Sequence, residues 1–262
     1  MKEIILSHLS AECPWRDTLY WYDTIDSTNT RAKALAKEGA PHGTVLVAGT
    51  QTGGRGRMGR SFSCAPGMGV YLSVILRPRC RAESLMHLTC AAGLAGCKAV
   101  EQACGVRPQI KWPNDLLLGG KKLGGILTEL GFDRDGLVDY AIIGIGINCN
   151  QKTKDFPPQL QAIATSLQDS LGITCPPAKL AGALMEAFYK MSTRLFDDKE
   201  QWMLHYRKNC TTLGQNISVI HGETVRYGKA LDVDEDGGLL VEFENGHTET
   251  VNSGEVSIRP IG

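Results

Sequence analysis

After Thr212 the pattern of the chain changes. The runs "NISVIHG", "TVRYGKALDVDED", "GLLVEFENG" and "HTETVNSGEVSIRP" are short and strand-like, and Gly, Asn and Asp turns separate them. Strands so short and so closely spaced bury their apolar sides by curling together, which predicts a small β-barrel over residues 213–262. The segment before it, residues 1–212, alternates helical and strand-like stretches and predicts an α+β domain, a mixed β-sheet flanked by helices. No internal repeat interrupts this division.

Within the larger segment, "TIDSTNTRAKALAKEGAPHG" reads as a short helix capped near Asp26, Ser27 and Thr28 and stopped by Gly39 and Pro41. "TVLVAGTQ" and "GVYLSVILRP" read as strands with a Gly- and Arg-rich loop between them, and "SLMHLTCAAGLAGCKAVEQACG" as a helix ending at Gly105. "PQIKWPNDLLLGGKKLGGILTELGF" predicts two strands about a Gly-Gly turn, and "LVDYAIIGIGINCN" another strand. From Phe156, "FPPQLQAIATSLQDSLGITCPP" and "AKLAGALMEAFYKMSTRLFDDKEQWMLHYRKNC" predict helices parted by a Pro-bounded loop.

Composition excludes several classes. Lys plus Arg and Asp plus Glu number 28 each, so no global charge draws the chain to nucleic acid. No apolar run has a membrane helix's length and the N-terminus lacks signal-peptide features, so a cytoplasmic protein with no membrane partner is expected. The nine cysteines contain no CxxC pair, and Cys90, Cys97 and Cys104 recur every seven residues, as small apolar side chains on one helix face would. Charge is nevertheless uneven. Residues 39–82 carry six arginines and no acid, whereas residues 230–258 carry eight acids and no Lys or Arg, which is the pattern of a solvated acidic face.

Three constellations carry candidate chemistry. "TGGRGRMGRSFS", residues 52–63, places Arg55, Arg57 and Arg60 among glycines, so free N–H groups and planar cationic forks can meet a carboxylate or phosphate. Nothing in the segment provides packing, so a loop ordered only by its ligand is expected. It is neither a Walker loop nor a dinucleotide fingerprint. "KWPND", residues 111–115, presents Lys111, Asn114 and Asp115 where Pro113 forces an extended or turning backbone, a rim suited to a phosphate with its magnesium or equally to a turn with a salt bridge. "GIGIN", residues 144–148, suggests a backbone pressed against a ligand, or a plain bulge.

Together, "STN" at 27–29, "QTGGRGRMGRSF" at 51–62, "KWPNDLLLGGKKLGGIL" at 111–127 and "GIGIN" at 144–148 resemble the bacterial biotin protein ligases, in order and interval. "GEVSIRP" at 254–260 is similar to the end of that family's C-terminal domain. The resemblance implies a biotin/lipoate-ligase fold, like that of class II aminoacyl-tRNA synthetases, followed by an SH3-like barrel. It implies that biotin and Mg-ATP give biotinyl-5′-AMP and pyrophosphate, after which a lysine of a biotin carboxyl carrier protein takes the biotin. No tightly bound cofactor is implied, and the family contains both monomers and homodimers.

By the same resemblance, Ser27, Thr28, Asn29 and Gln51 line the biotin end, Gly54, Arg55, Gly56 and Arg57 close over the chain and acyl-phosphate, and Gly125, Leu127 and Gly144 flank the ligand. Lys122 meets the carboxylate and α-phosphate. Lys111, Asn114 and Asp115 face phosphates or incoming lysine, with Asn114 and Asp115 as candidate metal ligands. Arg60, Phe62, Asn148 and Arg259 complete the adenylate site. Phe62 stands where the family usually has Trp, keeping an apolar plate but losing area and the indole donor. Only about twenty residues precede the matching region, so operator binding and repression are not expected. A lipoate or octanoate ligase or transferase of the same fold is the rival function, and an anion- or nucleic-acid-binding module without catalysis is the more distant one.

Overall fold

The structure, a computed structural model, describes residues 1–221, 223–252 and 255–258. In chain order its elements are α1 (Lys2–Ser7), β1 (Leu19–Tyr22), α2 (Thr28–Lys37), β2 (Thr44–Ala48), β3 (Gly69–Leu76), α3 (Leu88–Cys104), β4 (Gln109–Lys111), β5 (Asp115–Leu118), β6 (Lys121–Phe132), β7 (Val138–Asn148), α4 (Leu167–Leu171), α5 (Pro177–Ser192) and α6 (Lys199–Asn209). The strands β8 (Asn216–His221), β9 (Thr224–Val233), β10 (Leu239–Phe243), β11 (Thr248–Val251) and β12 (Glu255–Ile258) follow.

The first seven strands form one sheet in the order β1-β2-β3-β7-β6-β5-β4, with β1 and β2 parallel and the remaining neighbours antiparallel. Strand alternation assigns its two faces. Val70, Leu72, Val74 and Leu76 of β3 and Ala141, Ile143, Ile145 and Ile147 of β7 turn to one face, into the main core with α3 and α5. On the other face Ile75, Tyr140 and Ile142 pack with Leu46 and with Ala32 and Ala36 of α2. Further along that face the sheet presents Ser73, Gly144 and Gly146, too small to build a core, and the N-terminus of α2 ends over them.

Register therefore fixes the site as well as the core. A one-residue slip of β7 would replace Ile143, Ile145 and Ile147 in the core by Gly144, Gly146 and Asn148, at roughly 1.5–3 kcal/mol per isoleucine. The start of α2 is set by Ser27, whose hydroxyl accepts from the Thr30 amide at 3.4 Å, and its end by Gly39 at a φ of 91°.

Several expectations need correction. The region read as two strands holds three, because the Trp112-Pro113 turn separates β4 from β5. The stretch from Phe156 to Pro177 is mostly turns with one short helix, α4, as its prolines and Gly172 would dictate. The long final helix is broken at residues 193–198, where Leu195 turns into the core. Neither α1 nor β1 was expected. Cys90 and Cys97 are buried on α3, whereas Cys104 is only half-buried.

The last five strands form a second, antiparallel sheet in the order β11-β10-β9-β8-β12, with Ile217, Val219, Ala230, Val233, Val241 and Phe243 inside. It docks on the larger body through specific bonds. The Trp112 indole donates to Gly237 O at 2.8 Å, Arg207 Nε donates to Val233 O at 2.6 Å, and Lys199 pairs with Asp236 at 2.6 Å.

Candidate active site

The open end of the sheet's second face is a cavity of about 130 Å³, lined by residues from α2, the loop after β2, the β4–β5 turn, β6 and β7, with Val256 of the second sheet at its margin. One end is neutral. Gln51 Oε1 accepts from the Thr28 amide at 2.7 Å, which fixes the orientation of the Gln51 carboxamide, and the Thr28 hydroxyl lies 3.0 Å from the same oxygen. Ser73 Oγ lies 2.8 Å from Thr28 Oγ1 and 2.7 Å from Asn29 Oδ1. These three oxygen–oxygen contacts share the two hydroxyl protons of Thr28 and Ser73, so the cluster is rich in acceptors and short of donors. A ligand bearing N–H groups would complete it.

Asn29 is oriented from behind. Its Nδ2 donates to Glu129 Oε2 at 3.0 Å and to Leu127 O at 3.3 Å, leaving Oδ1 over Gly144, where any Cβ would overlap it. Glu129, on β6, also meets Lys33 Nζ at 2.6 Å and Arg55 at 3.2 Å. Burial pushes its carboxyl up, but the bonds from Lys33 and Asn29 and the charge of Arg55 outweigh that and hold it below the ordinary range.

The other end is cationic. Arg57 NH1 donates to Asn114 Oδ1 at 3.2 Å, and Asn114 Nδ2 donates to Ile126 O at 2.8 Å. Burial pulls the Arg57 guanidinium down from its usual value, Asp115 opposes this, and the group remains a cation. Lys122 Nζ pairs with Asp115 Oδ1 at 2.6 Å. A register shift between Leu116 and Leu117 precedes the point where β5 meets Lys122, and the Lys122 backbone is tied to Ile163 and Thr165 at 2.8 and 2.9 Å, so both strand and neighbouring loop aim the ammonium. The Lys111 side chain lines the same end without a hydrogen bond or ion pair among the described residues.

The basic loop carries internal structure, contrary to the expectation of a segment ordered only by ligand. Gly56 N donates to Arg60 O at 2.7 Å, Phe62 N donates to Gly54 O at 2.9 Å, and a 3-10 turn spans Arg57–Gly59 with Met58 at a φ of 54°. Glycine is required at 54, where a Cβ would press against Phe62 O and Cys64. The Phe62 ring lies against Gly146 and meets Tyr71 edge-on at 6.3 Å.

The region 21–148 matches the model of the Biotin/lipoate A/B protein ligase family, and 212–259 that of the Biotin protein ligase C terminal domain. The chain is 39% identical over 236 residues to the bifunctional ligase/repressor BirA of Bacillus subtilis, covering 87% of this chain and 70% of that protein. It is 33% identical over 237 residues to the biotin–[acetyl-CoA-carboxylase] ligase of Mycobacterium tuberculosis, covering 88% and 85%. The chain belongs to the biotin protein ligases. Its fold superimposes on the Aquifex aeolicus biotin protein ligase in complex with biotin and ATP with a TM-score of 0.77 at 31% identity, over 92% of this chain and 98% of that one.

In this ligase the cavity gathers Ser27, Thr28, Asn29, Gln51, Arg55, Gly56, Arg57, Arg60, Phe62, Lys111, Asn114, Asp115, Lys122, Gly125, Leu127 and Gly144 from the expected set, with Gly54 supporting the loop behind them. Asn148 is the exception. Its amide donates to Thr165 O at 2.9 Å and its oxygen accepts from Gln151 at 3.2 Å, so it ties loops together away from the cavity and is corrected to a structural position. Arg259 lies outside the described residues.

The metal role given to Asn114 and Asp115 does not fit either. Asn114 Oδ1 accepts from Arg57 and Asp115 Oδ1 faces Lys122, so in this arrangement neither oxygen is open to a divalent ion held with ATP phosphates. Sequence reasoning missed Ser73, Glu129 and Lys33. Ser73 is the one polar residue in "GVYLSVIL", and Glu129 follows Leu127 by two on the same strand face, so alternation carried a signal for both.

Proposed function

We propose that this chain is an ATP-dependent biotin protein ligase. The observation that carries the reading is a single cavity that joins an acceptor-rich neutral end to a cationic end, in a chain of this family. The neutral end, Thr28, Asn29, Gln51 and Ser73, suits a cyclic urea, whose N–H groups supply the missing donors. A dithiolane ring has no N–H to offer, which disfavours lipoate.

Gly144, Gly125 and Leu127 form the floor along which the valeryl chain lies, and the carboxylate then reaches Lys122 and Arg57. A biotin carboxylate oxygen attacks the α-phosphorus of ATP, the bond to the pyrophosphate oxygen breaks, and pyrophosphate leaves. The two anions repel each other, so Lys122, Arg57 and Lys111 act by offsetting charge as the phosphorus is approached. Asp115 keeps the Lys122 ammonium over Gly125 until the substrates compete for it. Magnesium enters with the ATP phosphates, and the chain's own residues provide cations and orientation.

In the second half reaction the amine of an acceptor lysine attacks the acyl carbon and AMP leaves. The acceptor is the biotin carboxyl carrier protein of a carboxylase. Within the site, the half-buried Asp115 carboxylate, released as Lys122 turns to the substrate, receives the proton that the amine sheds. Biotin-dependent exchange of labelled pyrophosphate into ATP tests the reading; exchange with lipoate and none with biotin would overturn it.

A further inference from the structure

Glu129 lies outside the set of residues that the cavity's chemistry requires, yet three side chains from two separate elements converge on it. Its side chain is only 15% exposed, and it receives Lys33 of α2 at 2.6 Å, Arg55 of the basic loop at 3.2 and 3.3 Å, and the Asn29 amide at 3.0 Å. An ionised carboxylate only accepts hydrogen bonds, so the Asn29 atom that faces it has to be the NH2 group. Both protons of that group are then spent, on Glu129 and Leu127 O, and Oδ1 is left pointing toward Ser73 and Gly144. The opposite amide orientation would set Oδ1 against the carboxylate and present a donor to the cavity.

We propose that Glu129 is a positioning residue that acts at two places: it sets the polarity of the neutral end through Asn29, and it tethers the basic loop through Arg55. The first effect makes the cavity an acceptor for N–H groups. The second connects the neutral end to the loop that bears Arg57, because the same carboxylate holds both. The inference rests on the biotin-ligase reading for the identity of the ligand, although the tether does not.

The test uses Glu129→Gln, a near-isostere that can donate to Asn29 Oδ1 and so permits the reversed amide. Biotin Kd measured by calorimetry is expected to rise by about tenfold or more, the loss of one well-oriented hydrogen bond to the ligand. Glu129→Asp retains the charge and should recover part of that loss. Trypsin, in the absence of any ligand, should cleave after Arg57 and Arg60 several-fold faster in Glu129→Gln than in the wild type. With Arg55→Ala present, adding Glu129→Gln should not accelerate cleavage further, since the tether is already gone.

A fall in melting temperature with unchanged biotin Kd and unchanged loop cleavage would overturn the proposal and leave Glu129 as a packing residue. Should Glu129→Gln fail to fold, Glu129→Asp carries the same two measurements, and wild-type behaviour in both would overturn it. If the wild type binds no biotin, the functional reading fails while the cleavage comparison still decides the tether.

Discussion

The two ends of the cavity are built on different physical terms. At the neutral end, Thr28, Asn29 and Ser73 are all but fully buried, and their bonds run through one connected network from Gln51 to Glu129. At the cationic end, Lys122 and Arg57 each hold one protein partner, Asp115 and Asn114, and Lys122 is 39% exposed. The first end is specific because its donors and acceptors cannot rearrange without leaving a buried polar group unpaired. The second is adaptable, since an exposed ion pair is worth little and its cation can be exchanged for a more highly charged ligand. A ligase needs both: rigid recognition of a small neutral ring, and cations free to follow charge from carboxylate to phosphate.

The largest expected effect is at the cationic end. Lys122→Met should lower biotin-dependent pyrophosphate exchange by about 10²–10³-fold, the scale of losing one charge-stabilising group in a transition state; a loss below about tenfold would mean that Arg57 and Lys111 suffice. At the neutral end, Gly144→Val would drive a side chain into Asn29 Oδ1. Overpacking of roughly 1–3 kcal/mol implies biotin binding weaker by about 5–150-fold, with ATP binding little changed. Equal weakening of both ligands would collapse the distinction between the ends.

Arg57→Ala should keep the fold and release the adenylate about tenfold faster, read by trapping with unlabelled substrate, because the adaptable end loses one anion contact. Acidification provides a gentler probe. The folded-state pKa of Glu129 is depressed, so its ionised network is complete above the ordinary carboxylate value of about 4.3 and is lost as pH falls through the lower folded value. Biotin affinity should therefore stay flat from pH 8 to about 5. The smallest effect belongs to Asn148→Ala, which should destabilise the protein by about 1–2 kcal/mol in a denaturant titration and leave the KM for ATP unchanged; a raised KM would return Asn148 to the adenylate site.

Much of this site was legible in the chain. The basic loop, "KWPND" and the glycines of β7 were visible as unusual residue types at unusual places, Lys122 was legible only through the family resemblance, and the structure brings them around one cavity. What escaped were residues that look ordinary locally. Ser73 is a small polar interruption in an apolar strand, Lys33 a helix-surface lysine, and Glu129 one acid among many. Asn148 erred in the opposite direction: it shares a motif and a strand with Gly144, but four residues of strand span about 13 Å, enough to carry it past the cavity to Thr165 and Gln151.

Local pattern determined most of the elements, because strand alternation, caps and turn residues act over a few positions; α1, β1 and the break at residues 193–198 were not legible in it. It also determined which face of β7 is small, and hence where a ligand could approach. Which carboxylate pairs with which cation was decided only by tertiary structure. Glu129 is 74 residues from Arg55 and 100 from Asn29 in sequence, and only the pairing of β3, β7 and β6 beneath the start of α2 brings them together. The same holds for Trp112 and Gly237, 125 residues apart, whose hydrogen bond joins the two sheets. Such contacts depend on register summed across several strands, and no single stretch of sequence contains that information.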